Sequence, residues 1–132
     1  MAERGRRPHV LLAEDIAPYL VRMRSLFDGL DLELIDALDG QIAIEYIEDR
    51  DQPLDLLVTD LDMPRKTGWD VINALRAMRG SDVPVIMQTG EAAYEWVKEQ
   101  AEALGIVLID KVHVDIHLVA EVRAALQLAD DV

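Results

Sequence analysis

Four short apolar runs constrain the fold of this 132-residue chain more than any other feature. They are Val10–Ala13, the Leu- and Val-rich run that opens at Pro53 and stops at Asp60, Val83–Met87, and Ile106–Ile109. Each is too short for a helix and nearly unbroken, which is how a strand buried on both faces reads. Such strands need cover above and below, and the segments between them supply it at helical spacing. Leu20, Met23 and Phe27 make one inner stripe, and Ala43, Ile44 and Ile47 a second. Val71, Ile72, Leu75 and Met78 make a third, Ala93, Val97, Ala101 and Leu104 a fourth, and Ile116, Val119, Val122 and Leu126 a fifth. A further segment, Leu32–Ala37, alternates in part, as a half-exposed edge strand does. Pro18 suits a helical first turn, Asp39-Gly40 marks a turn, Pro84 sits where a strand tolerates proline, and Gly105 suits a helix end. The pattern predicts an α/β fold: a doubly wound five-stranded parallel sheet with five helices on two faces.

The chain contains no cysteine, so it has neither disulfides nor a thiolate metal site. No apolar run approaches the roughly 18 residues of a membrane span, and the start, MAERGRRPHV, has no apolar stretch of a secretory signal. A reducing cytoplasm is the expected setting. The net charge of −13 repels nucleic acid phosphates, so neither direct nucleic acid binding nor a membrane partner is expected. Residues 1–8 are expected to form a disordered tail and 9–130 the domain.

In a parallel sheet, ligands bind beyond the carboxyl ends of the strands. The polar residues at those ends are Glu14 and Asp15, Asp60, Thr89 and Lys111. A carboxylate at the tip of a buried strand is costly unless something there needs a negative charge. Three carboxylates and one ammonium converge sensibly only around a shared ligand. Mg²⁺ takes oxygen ligands, commonly one or two carboxylates with phosphate oxygens and waters. A carboxylate also serves as a nucleophile towards phosphorus, giving an aspartyl phosphate. The ammonium of Lys111 would neutralise charge on the other side, the Thr89 hydroxyl would bond a phosphoryl oxygen, and Gly90 would let its N–H approach.

The segments LLAED (11–15), LLVTDLDMPRKTGWDVI (56–72) and PVIMQTG (84–90), with Lys111, resemble the receiver domains of two-component response regulators. The resemblance spans residues 9–128 and implies a flavodoxin-like strand order of 2-1-3-4-5. By resemblance, Asp60 is the phosphoacceptor, Asp15 the direct ligand of Mg²⁺ (or Mn²⁺), and Glu14 its water-mediated neighbour. Asp62 offers a backbone carbonyl to the metal, Thr89 is the switch hydroxyl and Lys111 pairs with the phosphate. The phosphodonor would be a sensor histidine kinase or a histidine phosphotransfer protein. The domain would be no enzyme beyond catalysing its own phosphorylation and dephosphorylation. With no output domain in these residues, output is expected to be protein–protein, to a downstream target or output domain, through the fourth and fifth helices. A homodimer through that face, or through the first and fifth helices, is compatible.

Two positions depart from the family. Val112 follows the lysine where proline in a cis peptide is usual, and a cis bond before a non-proline costs about 2.5–4 kcal/mol, so a trans bond is predicted. Leu108 stands three residues before the lysine, where the family has its switch aromatic. Asp62 and Glu91 place two more carboxylates near the site. Asp60-Leu61-Asp62 also fits the Asp-x-Asp of haloacid dehalogenase-type phosphatases, but those place it after their first strand. A receiver-like module that binds a partner without phosphorylation is the stronger rival. His113 and His117 lack a third ligand, Tyr94 and Trp96 lie off the inner stripe, and Trp69 would report cation binding by fluorescence. Arg22 and Arg24 are read as a solvated face.

Overall fold

Alternation along the central strands divides the apolar side chains between two layers, one on each side of a sheet. The computed structural model describes residues 6–128. The elements are β1 (His9–Ala13), α1 (Ala17–Leu26), β2 (Glu33–Ala37), α2 (Gly40–Glu48), β3 (Leu56–Asp60), α3 (Gly68–Arg79), β4 (Val85–Thr89), α4 (Glu95–Leu104), β5 (Val107–Asp110) and α5 (Val114–Leu126). All strand pairs are parallel, in the order β2-β1-β3-β4-β5. Leu11, Ala13, Leu57, Val85 and Met87 pack with the inner stripes of α2, α3 and α4. Val10, Leu12, Leu56, Val58 and Ile86 pack with Leu20 and Met23 of α1 and Leu118 and Val122 of α5. Both faces are therefore dry, as the unbroken runs require.

The helix ends follow their local chemistry. Pro18 lies in the first turn of α1. Asp39 caps α2 by accepting from Ile42 N at 2.8 Å. Thr67 and Asp70 cap α3 reciprocally, Thr67 Oγ1 accepting from Asp70 N and Asp70 Oδ2 from Thr67 N. Gly105 ends α4 in the left-handed region at φ +67°, where a Cβ is disfavoured.

Several boundaries differ from the sequence expectation. Strand β4 begins at Val85 and runs to Thr89, two residues later than the apolar run suggests. Pro84 has no N–H for the ladder and contributes only its carbonyl, 3.1 Å from Leu57 N. The shift carries Gln88 and Thr89 into the strand. Strand β5, though its apolar run is nearly unbroken, is the second edge of the sheet, as the order 2-1-3-4-5 implies, with Val107 37% exposed. The stripe of α5 is Val114, Leu118 and Val122, whereas Ile116 is 70% exposed. A single 3-10 turn, Lys111–His113, precedes α5 and sets its rotation. Helix α4 starts at Glu95, so Ala93 falls in the preceding turn.

Residues 1–5 and 129–132 lie outside the described range, and so do most of the expected tail and the domain limit at 130. Arg6–Pro8 are anchored to the sheet. Arg6 pairs with Asp55 at 3.0 Å, Arg7 pairs with Glu33, and the Pro8 carbonyl accepts from Glu33 N at 2.8 Å. Arg22 and Arg24 are paired with Asp115 and Asp36. Among the described residues every peptide bond is trans, Lys111–Val112 included, and no helix is long and apolar enough to cross a membrane.

Candidate functional site

The carboxyl ends of β1, β3, β4 and β5 meet at one rim, and they bring Glu14, Asp15, Asp60, Thr89 and Lys111 with them. Glu14 continues β1 by one residue, its N–H bonding Ala37 O at 2.9 Å, and its side chain is fully buried. Glu14 Oε2 accepts from Ile16 N at 3.1 Å, and Oε1 lies 3.1 Å from Lys111 Nζ without a directed hydrogen bond. Asp60 ends β3 and is 4% exposed. Its Oδ1 accepts from Leu61 N at 2.7 Å and its Oδ2 from Lys111 Nζ at 2.9 Å. Asp15 Oδ1 is buried and has no hydrogen-bond partner.

One oxygen from each of Glu14, Asp15 and Asp60 lies within 4.8 Å of the other two. Asp15 keeps a buried oxygen with no hydrogen-bond partner, and Glu14 Oε1 has only the Lys111 ammonium beside it, which costs free energy unless a further cation fills the gap. An all-oxygen donor set of three carboxylates suits a hard divalent cation, Mg²⁺ or Mn²⁺. His113 and His117 stand edge to face with ring centroids 6.0 Å apart and belong to no such cluster among the described residues.

Crowding shows in the proton affinities. Burial pushes the Glu14 carboxyl up to about 7, with the Asp60 charge adding to it and the Ile16 N–H and Lys111 opposing it. Burial also raises Asp60, against the Lys111 hydrogen bond. Burial works against the Lys111 charge, but the Asp60 and Glu14 carboxylates outweigh it and leave this group raised. Folded Glu14 and Asp60 therefore bind protons more tightly than in the unfolded chain. The stability they contribute is complete below the unfolded carboxylate range and is lost as pH rises through about 7. Lys111, with its raised pKa, holds its proton throughout that window. Without divalent cations, the chain should be more stable at about pH 5 than at about pH 8, by roughly 1–3 kcal/mol. Urea unfolding at the two pH values measures this, and the opposite order would contradict it. Added Mg²⁺ should narrow the gap by stabilising the ionised carboxylates.

Thr89 is buried and its Oγ1 accepts from Glu91 N at 3.0 Å, which leaves the hydroxyl proton for an incoming oxygen. A Cβ at Gly90 would meet nothing within 4 Å, so the space beside this residue is open. The Asp62 side chain points outward and approaches Glu91. The hydrogen bond to Asp62 raises the Glu91 carboxyl, with burial and the Asp62 and Asp60 charges adding to it. Trp69 is half-buried against the α2–α3 layer. Leu108, in the position of the family aromatic, packs against the same layer. Tyr94 and Trp96, off the inner stripe and as compatible with partial burial as with a partner surface, are more than half exposed.

Three contributors escaped the sequence reading. Tyr19 lies under Lys111, with Nζ 4.4 Å from the ring centroid, and its hydroxyl donates to Gln88 Oε1 at 3.0 Å. Gln88 is fully buried, and the only sequence signal for it was a polar residue one place before Thr89. The Thr59 hydroxyl donates to the Asp60 carbonyl at 2.8 Å and braces the strand end.

The response regulator receiver domain model matches residues 10–124. The chain is 32% identical over 123 residues to the transcriptional regulatory protein CpxR of Escherichia coli K12, covering 89% of this chain and 49% of that protein. It thus spans about half the length of that relative. It is also 32% identical over 96 residues to the chemotaxis protein CheY of Pseudomonas aeruginosa, covering 71% of this chain and 76% of that one. The Francisella response regulator 1452 receiver domain superposes with a TM-score of 0.81 at 22% identity, over 92% of this chain and 98% of the other. The family match thus extends from the first buried strand to the last helix, and this chain belongs to the response regulator receiver domains of two-component signalling.

Proposed function

We propose that the chain accepts a phosphoryl group on the Asp60 carboxylate from a histidine kinase or a histidine phosphotransfer protein, and that the change alters its contacts with a protein target. The observation that carries this reading is Asp60 at a strand tip, held by Lys111 on one oxygen and flanked by the Glu14 carboxylate, which Lys111 also faces at 3.1 Å, and by a buried Asp15 oxygen with no hydrogen-bond partner. In the transfer, an Asp60 oxygen forms the new O–P bond as the P–N bond of the donor imidazole breaks, and that nitrogen regains a proton. Glu14, Asp15 and Asp60, with the Asp62 main-chain carbonyl, would hold the cation, whose charge offsets that of the carboxylates and phosphoryl oxygens. Lys111 exchanges Asp60 Oδ2 for a phosphoryl oxygen, and the Thr89 hydroxyl and Gly90 N–H donate to the others. The chain acts on no external substrate beyond its own phosphorylation and dephosphorylation.

The exposed Tyr94, Trp96 and Val107 on α4 and β5 support output through a protein surface, to a separate target or to a second copy. The charge of −13 argues against direct contact with nucleic acid. Incubation with acetyl phosphate and Mg²⁺ should add the mass of one phosphoryl group, and chelation of the cation should prevent it. An unchanged mass would instead favour a receiver-like module that binds its partner unphosphorylated. Turnover of small phosphate esters would point to a phosphatase.

A further inference from the structure

Tyr19 occupies a place that packing alone does not explain. Its ring lies against Lys111, with the ammonium 4.4 Å from the centroid. Its hydroxyl donates to Gln88 Oε1 at 3.0 Å, and Gln88 Nε2 rests 2.8 Å from Met23 Sδ. Gln88 has no exposed surface and shares the face of β4 with Ile86, which packs in the α1–α5 layer, in register with Asp60 of β3 and Ile109 of β5. A carboxamide in such a layer costs free energy that a leucine would not. What the amide adds is a fixed acceptor for one hydroxyl. Burial pushes the Tyr19 phenol up to about 12, so it stays neutral and keeps the proton that it donates.

Lys111 is a point charge on a flexible stem, and two carboxylates alone do not fix where it rests. We propose that Tyr19 is a positioning residue for Lys111, its ring, pinned by Gln88, holding the ammonium beside Asp60 and away from solvent. An aromatic face attracts a cation through its quadrupole, most strongly where water is partly excluded. The counter-charge is then in place before a phosphoryl group arrives. This rests on the reading of Asp60 as phosphoacceptor and adds a residue on α1, outside the acidic cluster, to that site.

The test compares Tyr19→Leu, Tyr19→Phe and the unaltered chain. With acetyl phosphate and Mg²⁺, Tyr19→Leu should be labelled about tenfold more slowly, because the aromatic face is gone. Tyr19→Phe keeps the face and should stay within about threefold. A second readout needs no phosphorylation: ring currents should move the Lys111 ε-methylene protons upfield of those of Lys66 and Lys98. That displacement should vanish in Tyr19→Leu and survive in Tyr19→Phe. Should Tyr19→Leu fail to fold, Gln88→Leu, which keeps the layer filled, should reduce the displacement. Labelling of Tyr19→Leu at the unaltered rate, or Lys111 protons resonating with the other two lysines, overturns the proposal. If the unaltered chain takes no phosphoryl group, the functional reading fails, and the ring-current shift still decides whether Tyr19 holds Lys111.

Discussion

Asp60→Asn should abolish covalent phosphoryl acceptance while leaving the fold intact. The carboxamide has nearly the same shape, and its oxygen can still accept from Leu61 N, so the end of β3 keeps its geometry. An amide is not a usable nucleophile towards phosphorus, whereas an ionised carboxylate is. Two neighbouring carboxylates cannot take its place. Glu14 is tied to Ile16 N and Lys111, and the Asp62 side chain faces outward. Removing one charge also relieves the repulsion among three clustered carboxylates, so Mg²⁺ should bind more weakly. The effect is read as the loss of the phosphoryl adduct on intact mass with acetyl phosphate and Mg²⁺. An adduct that persists in Asp60→Asn would place the acceptor elsewhere on the rim.

Gly68→Ala should strongly destabilise the fold beside the site. Gly68 opens α3 and is buried, and its N–H donates to Leu61 O at 2.8 Å. An added Cβ would lie 2.3 Å from the Asp60 carbonyl oxygen, 3.0 Å from Leu61 Cα and 2.8 Å from Met87 Cε. The methionine tip can turn aside. The backbone of β3 cannot, because its ladders to β1 and β4 hold it. Either α3 backs away or the end of β3 moves and carries Asp60 with it. The expected loss is about 3 kcal/mol, with slower phosphoryl acceptance, since overpacking a rigid backbone is costly. Gly29→Ala is the control. A Cβ there meets nothing within 4 Å, so stability should change by no more than about 0.5 kcal/mol. Equal urea midpoints for the two variants would show that the close approach at Gly68 relaxes freely.

The loop between β3 and α3 is held from the other side as well. A Cβ on Gly40 would lie 2.0 Å from the Lys66 carbonyl oxygen, so only glycine lets that loop rest on the start of α2. Arg65, in the left-handed region at φ +71°, extends from the loop to within 3.4 Å of Asp39, the α2 cap. The Asp39-Gly40 pair read as a turn signal in the sequence. Its second role, in seating a loop some 25 residues away, depends on a contact between distant segments that no local pattern encodes.

The sequence by itself determined the alternation of strands and helices, because burial on both faces writes unbroken apolar runs and burial on one face writes a helical stripe. It also determined the polar rim, since each run must stop where the chain leaves the sheet, and those stops are Glu14, Asp60 and the residues around Thr89 and Lys111. The apolar run of β5 reads the same whether one or two neighbours pair with it, so its edge position followed from the family resemblance and not from the run, and is realised in the tertiary structure. The tertiary structure alone turned Ile116 outward, through a 3-10 turn that shifts the phase of α5. It alone placed Tyr19 beside Lys111, 92 residues away along the chain, and Gln88 against the Tyr19 hydroxyl. Periodicity records which face of an element is buried. It holds no record of which distant side chain waits on the other side, and the setting of Lys111 depends on that.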